Sequence, residues 1–550
     1  MEGGGQNAQL YLTLWKQTQK YHGTVNSIVL ALCLFAVVDN TVAIWLNHGK
    51  DITNRRYAND EVLINPLTVS RLRLKWKFFA GKDISATPAV DSGVVYFPSW
   101  NGYLYAVNAF TGASIWKRNL SELAGLNGTG IVVNVTVSRS TTTIVNELLI
   151  VGIYGPAVVI ALNRSNGKLV WSTQLDPRPR VLITVSGSNS LPGHVGAFYV
   201  GISSLEEALP AAQCCTFRGS LVKLDIRTGR VLWQTDMLPD NGGKLGDYAG
   251  AAIWGSSPSI DIIRRHVYVA TGNLYTAPAN VTECQEKQNN QTTPPTQPDQ
   301  CIGPDIHFNS ILALDMNSGK IIWSRQLGGY DIFYFSCLTP NNPDCPPGTN
   351  VAAEFGEAPM LLSILANGTI GDVVVAVQKS GFAWALDRNN GNIVWFKLAR
   401  PGGEEGGSGQ WGAATDGRRV YTNIANSNRQ NFTLKPSNQT TTAGARVALD
   451  ANSGEILWST ANRSNDTAQA PVSVANGVVF AGSVASNGPI YAMDANTGKI
   501  LWSNNTGATV YGGISVSYGC IYLGNGYTVG LAKFHTTWTP GTSLYAFCVV

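Results

Sequence analysis

Charged residues are scarce in this chain: they make up 13% of its 550 residues, and the formal net charge is only +4. No basic cluster stands out, which argues against binding to nucleic acid or to a membrane surface. The six histidines are scattered, and the sequence has neither an HExxH zinc motif nor a CxxCH haem-attachment motif. A Walker A loop, a GxGxxG stretch that opens a helix and a GxSxG elbow are also missing. These absences argue against a zinc enzyme, a nicotinamide enzyme and a c-type haem protein.

What the sequence does contain is one phrase that occurs seven times, as in residues 490–502 (IYAMDANTGKILW). Each copy has Asp or Asn four residues before a glycine and Trp four residues after it. The Asp or Asn positions are Asn108, Asn163, Asp225, Asp315, Asp387, Asp450 and Asp494. The tryptophans are Trp116, Trp171, Trp233, Trp323, Trp395, Trp458 and Trp502.

Each copy has the chemistry of a β-hairpin, because Asp and Asn hydrogen-bond their own turn and glycine accepts a positive φ. The flanks are rich in Val, Ile, Leu and Tyr, which suit strands. A Trp at a fixed place predicts packing between neighbouring units. No helical periodicity is visible, so repeats made only of strands predict an all-β β-propeller with four strands per blade.

The two ends of the sequence predict one further blade. Trp76 (in LKWKF) has no hairpin before it, and residues 542–549 (TSLYAFCV) begin a phrase without finishing it. Joined in space, the two ends would form an eighth unit that closes the ring without a free edge. We therefore predict an eight-bladed propeller closed by N- and C-terminal strands, with seven blades as the alternative, as a single domain at residues 44–550.

The N-terminal residues 1–43 resemble a signal peptide. Residues 28–38 are an unbroken apolar run, preceded by lysines and followed by small residues, and this run is too short to span a bilayer. The alternative is a signal anchor that continues to Leu46, although Asp39 and Asn40 interrupt it. We expect a secreted protein with no stable membrane span after cleavage.

Glycosylation sequons and cysteines agree with secretion. Asn-X-Ser/Thr sites occur at Asn119, Asn127, Asn134, Asn163, Asn280, Asn290, Asn367, Asn431, Asn438, Asn462, Asn465 and Asn504. Without Cys33 of the signal, an even number of cysteines remains, which suits an oxidising compartment. The expected pairs are Cys284–Cys301, Cys337–Cys345 and Cys520–Cys548, and adjacent Cys214 and Cys215 either bond to each other or bridge elsewhere.

Several polar or aromatic residues fall outside the register of the repeat: Arg139, Glu206, Glu207, Trp254, Asn273, Asp331 and Lys379. Propeller sites lie at one end of the central channel and are built by loops of different blades. Carboxylate and amide oxygens suit a hard cation such as Ca²⁺, and an indole suits stacking on a planar ligand. For each of these residues there is also an alternative without a ligand, namely a place in the hydrophobic core, in a turn or on the rim of the channel.

Taken together, these residues resemble one family in order. The repeated phrase is similar to the blade signature of the PQQ-dependent (quinoprotein) alcohol dehydrogenase-like propellers, and the likeness covers residues 45–549. The stretches GISSLEEAL, QCCTFRGS and AEFGEAPM resemble secreted plant proteins of the polyvinyl-alcohol-dehydrogenase-like type. The phrase is specific for the fold and not for an activity.

The resemblance implies a role for each candidate residue. Trp254, followed by Thr-Gly-Asn, would stack on the quinone, and Asn273 would bind calcium. Glu207, with Glu206 as its rival, would be the calcium carboxylate. The remaining cofactor residues would be Arg139 and Lys379, which would hold the quinone's carboxylates and oxygens, and Trp411 at the pocket rim.

Two departures from the family pattern bear on catalysis. Where the family has Asp-x-Trp-Asp, this sequence has Asp331 first and Tyr334 in the place of the second, usually catalytic, aspartate. Asp331 is therefore the candidate catalytic base. The Cys214–Cys215 pair falls later in the sequence than the vicinal disulfide of methanol dehydrogenases, so that role is not transferred.

The function implied is a secreted oxidoreductase that oxidises the alcohol group of a small molecule or polymer, with PQQ and Ca²⁺. Since no haem motif is present, electrons would leave to a separate acceptor. Two alternatives stand beside it: a non-catalytic propeller that binds a polymer or protein, and a propeller adapted to non-redox chemistry.

Overall fold

A computed structural model describes most of the protein from residue 44 onward. The described residues are 44–128, 134–190, 196–288, 296, 299–328, 331–332, 352–366, 368–399, 401–403 and 407–550. The predicted signal peptide at 1–43 and the expected Cys337–Cys345 pair lie outside them. Seven four-stranded antiparallel sheets and one five-stranded sheet, whose innermost strand is interrupted, follow one another as the blades of a β-propeller. The predicted all-β, eight-bladed fold is confirmed.

Each blade is numbered here in sequence order, and its strands run from the channel outward. Blade 1 consists of Ala89–Asp91, Val94–Ser99, Tyr103–Asn108 and Ser114–Asn119, and blade 2 consists of Thr143–Val145, Leu148–Gly152, Ala157–Asn163 and Leu169–Asp176. Blade 3 consists of Val181–Leu182 with Ser188–Asn189, Ala197–Ser204, Ser220–Asp225 and Val231–Asp236. Blade 4 consists of Ser259–Asp261, His266–Ala270, Ser310–Asp315 and Ile321–Gln326. Blade 5 consists of Met360–Ala366, Thr369–Val377, Phe382–Asp387 and Ile393–Leu398, and blade 6 consists of Ala414–Thr415, Arg419–Ile424, Ala445–Asp450 and Ile456–Ala461. Blade 7 consists of Val472–Ala475, Val478–Gly482, Pro489–Asp494 and Ile500–Asn505. Blade 8 consists of Ser515–Ser517, Cys520–Gly524, Ser543–Val549 and Leu72–Phe79.

The repeated phrase is the hairpin between the third and fourth strands of a blade. In blade 7 the carboxylate of Asp494 accepts hydrogen bonds from the main-chain N–H groups of Asn496 and Thr497, both at 2.9 Å. Gly498 follows with a φ of +69°. The aspartate therefore satisfies the turn's donors, and glycine takes the left-handed conformation that other residues adopt only at a cost.

The Trp of each phrase links its blade to the next one. Trp395 of blade 5 donates its indole N–H to the carbonyl of Ala451, the residue after Asp450 in the blade 6 hairpin, at 3.0 Å. The same ring lies against Gly454, where an added Cβ would sit 2.6 Å from the indole. Six other tryptophans bond the equivalent carbonyl: Trp76, Trp116, Trp171, Trp233, Trp323 and Trp458. Asp or Asn, Gly and Trp thus form one interblade contact, which explains why they recur together.

Blade 8 closes the ring with strands from both ends of the sequence. Strand Leu72–Phe79 pairs antiparallel with Ser543–Val549, with Trp76 opposite Ala546. A disulfide joins Cys520 to Cys548, which also face each other across neighbouring strands. The predicted closure and this predicted disulfide are confirmed.

Residues 44–58 run along the inner strands of the ring. The main chain of this segment hydrogen-bonds to the first strands of several blades; the partners are Val90, Ile144, Ile260, Leu361, Thr415 and Val474. His48 and Arg56 of the segment are both buried. The segment therefore occupies part of the central channel and brings side chains under the site described below.

The remaining elements are short excursions from the ring. The helices are α1 (Leu120–Ala124), α2 (Ala279–Gln288) and the 3-10 turns Val69–Arg71, Glu206–Ala208, Ala211–Gln213 and Gly530–Phe534. Two small ribbons pair Ala249–Gly250 with Leu274–Thr276 and Phe432–Thr433 with Thr440–Thr441. Cys284 and Cys301 are bonded as predicted, and Cys214 is bonded to Cys215. Within the described residues, no helix has the length and apolarity needed to cross a membrane.

Candidate functional site

A cavity of about 1000 Å³, its open mouth included, lies at one end of the channel. Because neighbouring strands are antiparallel, the connections between second and third strands lie at the same end as the connections between blades. The cavity residues come from these connections, from the interrupted first strand of blade 3 and from the end of the second strand of that blade, which contributes Ser203 and Ser204. The predicted residues among them are Arg139, Glu207, Trp254, Lys379 and Trp411.

A lysine–glutamate pair and an indole form the polar core of the cavity. The Lys379 ammonium is in ion-pair contact with the Glu354 carboxylate, and both residues are buried. The other oxygen of Glu354 accepts a hydrogen bond from the Trp254 indole N–H at 2.6 Å. Burial alone would lower the pKa of Lys379, but the neighbouring Glu354 carboxylate raises it above its usual value. Lys379 is therefore a cation, and its Nζ lies 5.0 Å from the centre of the Trp254 ring.

Two further carboxyl groups share this electrostatic environment. Burial, reinforced by the charge of Glu354, raises the pKa of Glu207 to about 8. Burial likewise raises the pKa of Asp331 to about 7, although a main-chain hydrogen bond opposes the shift. Three carboxyl groups thus lie near one ammonium group, and the raised pKa values keep Glu207 mostly protonated and Asp331 partly protonated at neutral pH, a balance that a bound cation would shift toward the carboxylates.

Asp331 lies behind the cavity wall and does not line it. Its Oδ2 accepts hydrogen bonds from the Ala353 N–H at 2.7 Å and from the Asn309 amide at 2.9 Å. Its Oδ1 is buried and has no hydrogen-bond partner among the described residues. Tyr334, which the sequence places at the second acidic position, lies outside the described residues.

Asn273 lies next to Asp331, because the N–H of Leu274 donates to the main-chain oxygen of Asp331 at 3.2 Å. The Asn273 side chain is buried and donates its amide to the Leu274 carbonyl at 2.8 Å. Gly272 before it packs closely: an added Cβ would lie 3.1 Å from a Glu354 oxygen and 3.2 Å from the Trp254 ring. The Thr-Gly-Asn stretch therefore brings its backbone against the indole and the carboxylate.

Arg139 and Trp411 form the opposite side of the cavity. The Arg139 guanidinium lies 4.0 Å from the centre of the Trp411 ring and donates to the Tyr527 hydroxyl at 3.2 Å. Trp411 in turn meets Trp254 edge to face, with 5.1 Å between ring centres. The Trp411 carbonyl contacts a ring nitrogen of His48 from the segment in the channel. No carboxylate of the described residues pairs with Arg139, so this buried cation is available to an anionic ligand.

The two adjacent glutamates point in different directions. Glu207 lines the cavity, whereas one carboxylate oxygen of Glu206 accepts hydrogen bonds from the N–H groups of Thr216 and Phe217, at 2.7 and 2.8 Å. Between the two predicted metal ligands, the geometry favours Glu207. The buried Cys214–Cys215 bond packs in the hydrophobic core near Phe217 and does not line the cavity.

Sequence reasoning missed several cavity residues. Glu354, the partner of both Lys379 and Trp254, is one of two glutamates within a stretch of otherwise small and apolar residues (AAEFGEAPM), and this pair of carboxylates was the available signal. An aromatic wall opposite it comes from separate parts of the sequence: Tyr154, Tyr275, Tyr511, Tyr527 and Trp538. These aromatic residues have no common spacing, so only the fold brings them together.

Among the described residues, no group of three or more His, Cys, Asp or Glu side chains is placed to hold a metal ion. A cation bound here would therefore use a mixed set of oxygen donors, in which the Glu207 carboxylate and the Asn273 amide oxygen are the candidates. Neutral amide and main-chain oxygens are usual ligands for calcium.

Comparison with known proteins supports the repeat signature. A family model described as outer membrane protein assembly factor BamB (PQQ_2) matches residues 68–325 and 442–529, more than half of the chain. The chain belongs to the PQQ-type β-propeller family.

This propeller is similar to two bacterial proteins named polyvinylalcohol dehydrogenase. The one from Pseudomonas sp. is 30% identical over 397 residues, which are 69% of this chain and 55% of that protein. The one from Sphingopyxis sp. (strain 113P3) is 27% identical over 523 residues, 88% of this chain and 72% of that protein. The PQQ-type propeller thus spans only about half the length of the Pseudomonas relative.

Among solved structures, the quinohemoprotein alcohol dehydrogenase from Comamonas testosteroni superimposes with a TM-score of 0.68 at 20% identity. The superposition covers 92% of this chain and 80% of that one. At this identity the likeness shows the shared propeller fold alone.

Proposed function

We propose that this PQQ-type propeller is an exported alcohol oxidoreductase that uses PQQ and Ca²⁺ and passes electrons to a separate acceptor. The observation that carries the proposal is the convergence on one cavity of an indole, two cations and two carboxyl groups. The relatives named polyvinylalcohol dehydrogenase support an alcohol substrate.

The cavity residues fit a planar, anionic cofactor. Arg139 is a buried guanidinium without a carboxylate partner among the described residues, and it would pair with a carboxylate of PQQ. Lys379 would hold a second acidic or quinone oxygen, the Trp254 indole would offer a flat face, and Trp411 would close the rim. Glu207 and Asn273 would hold the calcium ion. When bound, the quinone supplies the two-electron chemistry that protein side chains lack.

Asp331 is the proposed base for the hydroxyl proton of the substrate; since it does not line the cavity, the proton would reach it through an intervening group. A general base works best with a pKa near the working pH, and the pKa of Asp331 is about 7. Hydrogen bonds from Ala353 and Asn309 fix one carboxylate oxygen, and Oδ1, which has no partner among the described residues, would receive the proton.

The alternative is a propeller that binds a polymer or protein without redox chemistry. The ion pair between Lys379 and Glu354 favours it, because both groups are already satisfied without a ligand. The two proposals differ in whether Glu207 and Asn273 are needed for a cation.

The test is binding of PQQ and Ca²⁺ to the deglycosylated protein, measured by quinone absorbance and thermal shift. We expect calcium-dependent binding that Glu207→Gln and Asn273→Ala abolish. Glu206→Gln is the matched control: its carboxylate serves the backbone of Thr216 and Phe217 instead of the cavity, so calcium dependence should persist. Binding would justify a screen of alcohols with an artificial electron acceptor. No binding at high PQQ concentration would exclude the quinoprotein proposal.

A further inference from the structure

The glycosylation sequons are concentrated at one end of the propeller. Most of their asparagines lie in the connections between blades or between second and third strands, or at the ends of strands that enter them: Asn119, Asn127, Asn134, Asn280, Asn431, Asn438, Asn462, Asn465 and Asn504. Most of these connections also contribute cavity residues, and the blade 6 connection with Asn431 and Asn438 lies at the same end without lining the cavity. Among the described residues, Asn163 is the one exception, since it lies in a hairpin at the opposite end. Asn290 and Asn367 lie outside the described residues.

Exposure differs among these asparagines, and Asn119 is partly buried. Asn127, Asn134, Asn280, Asn431, Asn438, Asn465 and Asn504 are exposed, whereas Asn462 is only 6% exposed. An N-linked glycan is bulky and solvated, so its asparagine must face water in the folded protein. Position in the fold therefore decides which sequons can hold a glycan.

We infer that, in the exported protein proposed above, N-glycans are attached to these exposed asparagines and form a crown around the cavity mouth. In the attachment step, the Nδ2 atom bonds to the anomeric carbon of a sugar on a lipid-diphosphate oligosaccharide donor. The diphosphate is the leaving group, and Nδ2 loses one proton.

Asn462 stays unmodified although its sequon is intact. Its Nδ2 donates to the carbonyls of Asp466 and Thr467, at 3.2 and 2.8 Å, and to the Ser483 hydroxyl at 2.9 Å. A sugar on this nitrogen would break these contacts and place a polar group in the interior. Asn163 also stays unmodified, because its side chain forms the blade 2 turn with Ser165 and is partly buried.

One loop offers a matched comparison. Asn462 and Asn465 are three residues apart, and each has its own hydroxyl residue, Ser464 and Thr467. Asn465 is exposed and has a φ of +53°, and its main-chain N–H donates to the Asn462 carbonyl at 3.0 Å. Removing either hydroxyl residue deletes one sequon while leaving both asparagines in place.

The test is site-by-site glycan mapping of the full-length protein secreted from a eukaryotic host, by mass spectrometry of glycopeptides. We expect glycans at Asn134, Asn465 and the other exposed sites, and none at Asn462 or Asn163. Thr467→Ala should remove the mass of one glycan, and Ser464→Ala should remove none.

A glycan on Asn462, or bare asparagines at the exposed sites, would overturn the inference. Its outcome is independent of the cofactor proposal, because PQQ and calcium binding is measured on protein from which glycans have been removed. A secreted protein that binds PQQ but has no glycans would refute the crown and leave the cofactor proposal intact.

Discussion

At the scale of single residues, the buried pair of Glu354 and Lys379 organises the site. Glu354 contacts the ammonium with one oxygen and the Trp254 indole with the other. One carboxylate therefore fixes both a cation and an aromatic face. Such a pair is costly to break, since the remaining charge stays buried without a partner.

We predict that Glu354→Gln lowers the free energy of unfolding by about 3–5 kcal/mol, the range for breaking a buried pair. The neutral amide can still accept the hydrogen bond from Trp254, so the loss of stability reports on the removal of the negative charge that pairs with Lys379. The double variant Glu354→Gln/Lys379→Met should recover most of the stability, because it leaves no buried charge unpaired. Denaturant unfolding of both variants and the unmodified protein is the measurement, and equal losses in the single and double variants would contradict the prediction.

A second buried carboxyl group predicts a pH dependence. Glu357 is fully buried, and burial raises its pKa to about 8, although a hydrogen bond from the Thr422 hydroxyl opposes the shift. A raised carboxyl pKa stabilises the fold below the unfolded value of 4.5, and that stability is lost as pH rises through 8.

We predict that Glu357→Gln makes the decline in unfolding free energy between pH 4.5 and pH 8 shallower, by up to about 1.4 kcal/mol per pH unit. The measurement is denaturant unfolding across this range. Glu455→Gln, at an exposed carboxylate, controls for the change in net charge. An unchanged slope would show that Glu357 is ionised in the folded protein throughout.

At the scale of the element, each hairpin provides a glycine surface for the Trp of the preceding blade. Gly454 combines a φ of +73° with contact to the Trp395 ring. Gly417, in the same blade, has a φ of +85° but nothing within 4 Å of an added Cβ. The two glycines separate the cost of backbone conformation from the cost of packing.

We predict that Gly454→Ala lowers the free energy of unfolding by about 2–4 kcal/mol, the sum of a left-handed conformation and an overpacked contact. Gly417→Ala should cost only about 1–2 kcal/mol, since it has the first of these terms alone. Denaturant unfolding compares them. Equal losses of stability in the two variants would mean that the Trp395 ring moves aside for the added methyl group without cost, and would contradict the prediction.

At the scale of the whole molecule, stability depends on closure of the ring in blade 8. The N-terminal strand Leu72–Phe79 completes a sheet whose other strands lie near the C-terminus, and the Cys520–Cys548 bond ties two of those strands together. The Cys284–Cys301 bond instead lies in an excursion from blade 4 that includes helix α2.

We predict that Cys520→Ser/Cys548→Ser lowers the free energy of unfolding by about 2–4 kcal/mol, the usual contribution of a disulfide. Cys284→Ser/Cys301→Ser should affect mainly local proteolysis of its loop, because that loop is not part of the ring. Denaturant unfolding and limited proteolysis of both variants distinguish the effects. A larger loss of global stability in the second variant would contradict this assignment.

The candidate site was only partly predictable from the sequence. Trp254, Arg139, Lys379, Trp411 and Glu207 were identified because they break the register of the repeat or resemble the family, and the fold brings all five to one cavity. Glu354 was missed, since nothing local marks a carboxylate that pairs with a lysine in the next connection. The choice between Glu206 and Glu207 was equally undecidable, because adjacent residues differ only in where the folded loop turns them.

The sequence by itself determined the all-β repeat, the eight blades and the closure by both terminal segments. These features follow from local chemistry, as Asp or Asn, Gly and Trp specify the same turn and the same contact in every copy. Only the tertiary structure decided which connections meet, which carboxyl groups share one ammonium and which sequons face water. Those relations join residues far apart in the sequence, and they depend on burial and electrostatic neighbours that no local pattern records.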